Sequence, residues 1–223
     1  MYRLRAGLLA AILAVAGLGG AAAQAAAPKC NLIQDATNDT FLARYQDTAG
    51  VYGPQEDALD IVSGDIATDA KTITGVLRVV KLAKTVASAP AGTVYRLQFS
   101  IPGLADGTTL FLAASIEGGT EKFLAGTVTS AVAASVSTKL ADGTGVFDLA
   151  KNEVRIHAPM AAFAAQGDGL KPGTVINLGF DQTTSRFVAN NPATGGPVSP
   201  FSDVTVPETV YKAGTPSCVK VGK

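Results

Sequence analysis

Eight of the chain's 18 acidic side chains fall between residues 30 and 70: Asp35, Asp39, Asp47, Glu56, Asp57, Asp60, Asp65 and Asp69. Arg44 is the only cation in that stretch. Carboxylate oxygens are the hard ligands that calcium takes, about six to eight per ion. Asp35 and Asp39, together with Glu56, Asp57 and Asp60, could meet across the start of a strand, so these five are the candidate metal ligands and calcium the candidate ion. No EF-hand spacing is present. The competing reading places the same acids in loops and at strand edges, where Asp serves turns and charge blunts edge pairing. Spacing alone favours that second reading.

Other reactive side chains are few. His157 is the only histidine. It ends the alternating run Glu153-Val154-Arg155-Ile156-His157, on the face opposite Val154 and Ile156, which predicts a solvent-facing strand residue. With one His and two Cys near the ends of the chain, the usual zinc sites and Cys–His nucleophile pairs cannot be assembled. The G-x-S-x-G and H-E-x-x-H motifs are absent. Glycoside hydrolysis needs only two carboxylates and stays open by inventory. The chain contains no Trp, however, and aromatic sugar platforms are correspondingly scarce.

The amino terminus sets the compartment in which these groups would work. Arg3 and Arg5 precede the apolar run Leu8 to Leu18, and Gly19 to Ala27 offers small-x-small cleavage sites such as Ala23-Gln24-Ala25. That order predicts a secretory signal peptide over residues 1–25, with residues 26–223 exported as a single domain. Ala-Pro-Lys before Cys30 is no lipid-attachment signal, so a secreted, extracellular or cell-wall-associated protein is expected. No second apolar run of membrane-spanning length follows. Without the two leader arginines, 16 basic side chains face 18 acidic ones, which excludes a broad basic field for nucleic acid. In an oxidising compartment Cys30 and Cys218 are expected to form a disulfide, worth about 4–5 kcal/mol on the chain-entropy model.

The elements that must position these residues read as short strands. Thr72 to Leu82 and Val94 to Ile101 alternate with period two. Further candidates are Ala58 to Ala67, Thr109 to Glu117, Glu121 to Val128, Ser130 to Lys139, Gly145 to Leu149, Glu153 to His157 and Thr174 to Phe180. Ser88 to Gly92, Gly118-Gly119 and Asp142-Gly143-Thr144-Gly145 carry turn signals. Helix is limited to short turns at Phe41 to Tyr45 and Pro159 to Gln166. Residues 189–203 read as a Gly/Pro loop, and Val204 to Tyr211 as a last extended segment. The pattern predicts an all-β fold, an antiparallel, jelly-roll-like β-sandwich with one or two short helical turns.

Several segments together carry a resemblance. They are Asp35 to Asp39 soon after Cys30, the run LDIVSGDIATD from Leu59 to Asp69 followed by TITGVLRV from Thr72 to Val79, and Gly92 to Tyr95 with Phe99. Gly145 to Asp148 with Val154 to Ile156, and Tyr211 before Pro216-Ser217-Cys218, complete the set. Their order is similar to a group of secreted bacterial β-sandwich domains of largely unknown function, found alone or beside extracellular peptidases. More distantly it resembles the DOMON and family-nine carbohydrate-binding-module folds. The resemblance implies a sandwich fold. The missing Trp removes the usual sugar-stacking clamp, and no Met–His pair is available for the haem ligation of some DOMON domains. Three functions are consistent with these residues. The first is a non-catalytic binding or accessory module with a surface glycan or protein as partner, calcium-stabilised. The others are a carboxylate-dependent extracellular hydrolase and a structural subunit of a surface assembly.

Overall fold

The computed structural model describes residues 27–40, 56–84, 92–117, 119–131, 134–179, 182–187 and 201–222. The predicted leader, the Phe41 to Tyr45 turn, Asp47, and most of the 189–203 loop lie outside them. In chain order the described strands are β1 (Ile33–Gln34), β2 (Ile61–Thr68), β3 (Thr72–Val79), β4 (Gly92–Phe99), β5 (Thr108–Glu117), β6 (Thr120–Ala131) and β7 (Ala134–Asp142). They continue with β8 (Thr144–Asp148), β9 (Glu153–Pro159), β10 (Val175–Asn177), β11 (Gln182–Phe187), β12 (Phe201–Thr205) and β13 (Val210–Lys212). A front sheet runs β1-β2-β3-β9-β8 and a back sheet β12-β11-β4-β5-β6-β7, with β10 and β13 as a separate ribbon. Every strand pairing is antiparallel, and the two sheets pack face to face as a sandwich.

Alternation in the sequence builds this core directly. Tyr95, Leu97 and Phe99 of β4 are buried, as are Leu110, Leu112, Ala114 and Ile116 of the neighbouring β5. They meet Ile66, Ile73, Leu77, Val154 and Ile156 from the front sheet in one continuous apolar cluster. Tyr95 and Phe147 pack edge to face across the sheets, centroids 5.7 Å apart. The expected helical turn after Pro159 is a short 3-10 helix, Met160–Phe163, whose Met160 and Phe163 enter the same core.

Four segments differ from the sequence expectation. Asp142 to Gly145 does not make a hairpin turn, because β7 belongs to the back sheet and β8 to the front one. The chain crosses between sheets at Gly143, whose N–H donates to the Phe123 carbonyl (2.8 Å). A β-carbon on Gly145, just beyond the corner, would lie 2.1 Å from the Arg155 carbonyl, so two glycines mark a close approach rather than a turn. β11, Gln182–Phe187, was not foreseen, and residues 201–203 form β12 instead of a loop end. The strand expected over Thr174 to Phe180 is confined to Val175–Asn177.

Residues 29–32 and 217–222 lie over part of the outer face of the front sheet. Cys30 and Cys218 are disulfide-bonded, with Cα atoms 5.2 Å apart. Beside them Lys29 and Ser217 form a parallel bridge, and the Cys218 N–H donates to the Lys29 carbonyl (3.3 Å). Val219 packs on Ala67 and Val76, and the Gly222 N–H donates to Thr74 Oγ1 (3.1 Å). On the amino-terminal side, the Leu32 N–H donates to Asp65 Oδ1 (3.3 Å). Asp65 also receives Arg78 Nη1 (2.8 Å), and Arg78 and Arg155 both engage the buried Glu153. Serine at both Cys30 and Cys218 is expected to lower unfolding stability by about 2–5 kcal/mol in urea titrations. An unchanged midpoint would show that the bridge does not secure the ends.

Candidate metal centre

The segment Ala58–Ile61 enters the sandwich at the edge where β2 faces β12, and its backbone groups are bonded by back-sheet side chains. Tyr95 Oη donates to the Ala58 carbonyl (2.8 Å) and Thr184 Oγ1 to the Leu59 carbonyl (2.5 Å). The Ile61 N–H donates to Asp203 Oδ2 (2.5 Å). Beside it, β1 runs along β2, the Asp35 N–H donates to the Val62 carbonyl (3.2 Å), and Thr205 Oγ1 donates to the Gln34 carbonyl (3.2 Å). The following turn closes back when the Asn38 N–H donates to Asp60 Oδ2 (2.7 Å). Three chain segments thus deliver their aspartates to one edge.

Asp35, Asp39 and Asp203 offer carboxylate oxygens that all lie within 4.8 Å of one another. Asp60 lies outside that group but next to it along the chain's own bonds, because its Oδ2 accepts the Asn38 N–H and the following Ile61 N–H donates to Asp203. Burial, opposed by the Ala36 N–H and the Thr205 hydroxyl and reinforced by the charges of Asp39 and Asp60, pushes the Asp35 carboxyl up to about 6. Burial likewise raises Asp60, opposed by the Asn38 N–H and helped by Asp39 and Asp57. Asp35 Oδ2 and Asp60 Oδ1 are buried with no hydrogen-bond partner among the described residues. Buried carboxylate oxygens are costly unless something positive or protic satisfies them.

Of the five expected ligands, Asp35 and Asp39 belong to the mutually close group, and Asp60 is outside it but bonded to the backbone of Asn38, the residue before Asp39. Glu56 and Asp57 sit in the turn before β2, where the Leu59 N–H donates to the Glu56 carbonyl and the Lys81 N–H to that of Asp57. Asp57 is exposed and reaches the cluster only through its charge on Asp60. The remaining described acids of the segment have structural work. Asp69 accepts the Lys71 and Thr72 N–H groups (both 2.7 Å) in the β2–β3 turn, which holds its carboxyl below the usual range. Asp65 is ion-paired under the terminal strap.

Asp203 was missed because it lies far down the chain from Asp39. One signal existed: in Phe201–Thr205 the alternate residues Asp203 and Thr205 share a face, and that face is the buried one. His157 does not face solvent as expected. It is half-buried, its Nδ1 lies 2.9 Å from Thr74 Oγ1, and burial, with Arg155 nearby, lowers its basicity. A separate shallow cleft of about 390 Å³ lies between Ser100–Thr109 and Ser130, and Asp106 is the one acid in its lining.

No family model, curated protein or solved structure matches the chain.

The raised Asp35 carboxyl gives a signed pH dependence. In chelator, the folded chain retains a proton that the unfolded chain releases between about pH 4 and pH 6. The stability this proton supplies is full below that window and lost as pH rises through it. Asp35→Asn removes the charge but keeps an oxygen for the Ala36 N–H. With chelator at pH 7 this variant is expected to melt roughly 2–4 °C above the parent, the equivalent of about 1 kcal/mol. The gap should close by pH 4, and a gap independent of pH would count against the burial of this carboxylate.

Proposed function

We propose that the chain is a secreted, non-catalytic binding or accessory module of the cell surface or extracellular space. The observation that carries this reading is that its converging carboxylates are engaged by the scaffold at a sheet edge instead of facing each other across a cleft. Asp35, Asp39 and Asp203 bring oxygens within 4.8 Å of one another at a sheet edge. Glycoside hydrolysis needs carboxylates about 5–10 Å apart on opposite sides of a bond, with room for substrate between them. Asp203 is instead bonded to the Ile61 backbone, and Asp60 to that of Asn38, as parts of the scaffold. The described cleft offers a lone carboxylate, Asp106. His157 is bonded to Thr74, whose hydroxyl also accepts the Gly222 N–H of the carboxy-terminal tail. Export is supported by the leader pattern and by a disulfide that suits an oxidising compartment. The partner class is a surface glycan or protein, with no basic field for nucleic acid. Among the described residues no helix is long and apolar enough to cross a membrane.

Two measurements test this. Amino-terminal sequencing of protein from culture supernatant should begin near residue 26, and material retaining Met1 would contradict export with cleavage. Purified mature protein, incubated with insoluble cell-wall polysaccharide, should co-sediment with it or with envelope protein and release no soluble sugar. Release of product that Asp35→Asn or Asp106→Asn abolishes would establish the hydrolase instead.

A further inference from the structure

We propose that Asp35, Asp39, Asp60 and Asp203 form a calcium site that fastens the front sheet to the back sheet at the edge between β2 and β12. The proposal rests on the exported, accessory-module reading only in that millimolar calcium is a property of the outside of the cell. Its geometry stands separately. Oxygens bound to one calcium ion at 2.3–2.6 Å are separated by no more than about 5 Å. The mutually close oxygens of Asp35, Asp39 and Asp203 fall within that limit.

An acidic cluster alone would not imply a ligand. The deciding observation is Asp60, which is 1% exposed. Its Oδ2 accepts the Asn38 N–H, while its Oδ1 is buried with no hydrogen-bond partner among the described residues. Backbone bonds bracket Asp60 between cluster members: its Oδ2 accepts the N–H of Asn38, the residue before Asp39, and the N–H of Ile61, the residue after Asp60, donates to Asp203. Asp35 Oδ2 is orphaned in the same way. Two unpartnered carboxylate oxygens beside two further aspartates form an electrostatic arrangement that a divalent cation satisfies at once. The scaffold already fixes the carboxylates, Asp203 through Ile61 N–H, Asp60 through Asn38 N–H and Asp35 through Ala36 N–H (3.0 Å). Oxygen donors with several negative charges and no enforced octahedron favour calcium over magnesium, which demands short bonds and keeps its water.

The ligands come from both halves of the sandwich. Asp35, Asp39 and Asp60 belong to the front sheet and the segments flanking it, and Asp203 to the edge strand of the back sheet. A bound ion therefore links segments that the backbone joins only through a long connection. Binding to the folded chain alone must then raise its stability.

The test uses the disulfide-bonded mature protein with calcium chloride as the probe. Isothermal titration should show one ion per chain with Kd on the order of 10⁻⁴–10⁻³ M, the range of extracellular modules. At one hundred times Kd, the melting temperature should rise by roughly 5–10 °C over the value in chelator. Equimolar magnesium should give a small fraction of that shift. Asp60→Asn should lose at least tenfold in affinity. Because Asp60 is buried and its variant could misfold, Asp39→Asn serves as the second variant. Asp39 is exposed, so this variant should keep the parent's circular dichroism while losing the calcium-induced shift. Identical melting in calcium and chelator would overturn the site, as would wild-type affinity in Asp39→Asn or an equal response to magnesium. Any of these results, with export intact and no turnover, would remove the metal and leave the accessory-module reading standing.

Discussion

The arrangement depends on how the stretch Ala58–Ile61 enters the sandwich. Backbone polar groups cannot be left unpaired inside an apolar layer, and here the strand ladder is only beginning, at Asp60 and Ile61. Tyr95, Thr184 and Asp203 supply the missing partners from the opposite sheet. An inter-sheet contact that would ordinarily be apolar becomes a set of directed hydrogen bonds, which fixes the position of β2 relative to β4, β11 and β12. One of those partners is a carboxylate, and its charge has consequences for every acid nearby. The raised carboxyls of Asp35 and Asp60 follow first from their burial at this edge and then from the neighbouring aspartates, and each keeps one buried oxygen without a hydrogen-bond partner among the described residues.

A second polar system lies on the outer face of the front sheet. Asp65, Arg78, Glu153 and Arg155 alternate in sign across β2, β3 and β9, and the terminal segments lie over them. Pairing within this ladder explains why two nearly inaccessible acids are tolerated. Removing one partner of such a ladder would leave an uncompensated charge, at a cost of about 3–5 kcal/mol. The disulfide joins the two segments that lie over it. Asp65 and Asp60, five residues apart, therefore serve unrelated purposes on opposite sides of one sheet.

Much of this was legible in the sequence. Period-two alternation located β3, β4 and β9, and the two cysteines announced their bridge. Strand burial was visible because each inward residue there is apolar. β11 and β12 escaped for the opposite reason: their inward positions include Gln182, Thr184, Asp203 and Thr205, whose burial is made acceptable by specific hydrogen bonds rather than by hydrophobicity. The acidic segment announced itself by density, but density could not separate turn acids such as Asp69 from clustered ones such as Asp35. That distinction needed Asp203, which only the tertiary fold brings near. His157 was placed on the correct face, yet the tail covering that face comes from residues 218–222, with no local mark in its own strand.

The corner at Gly143 gives the sandwich an asymmetry. Along the side where β7 continues into β8, the two sheets are stitched by a single residue of backbone, like the spine of a book. On the opposite side, where β1 and β2 meet β12, the described residues join the sheets through side chains, Asp203 to the Ile61 N–H and Thr205 to the Gln34 carbonyl. Thermal opening of the core therefore has a preferred starting place, and water would enter along the fore-edge that carries the aspartates. A group that neutralised those carboxylates would act there as a clasp, at the edge farthest from the spine.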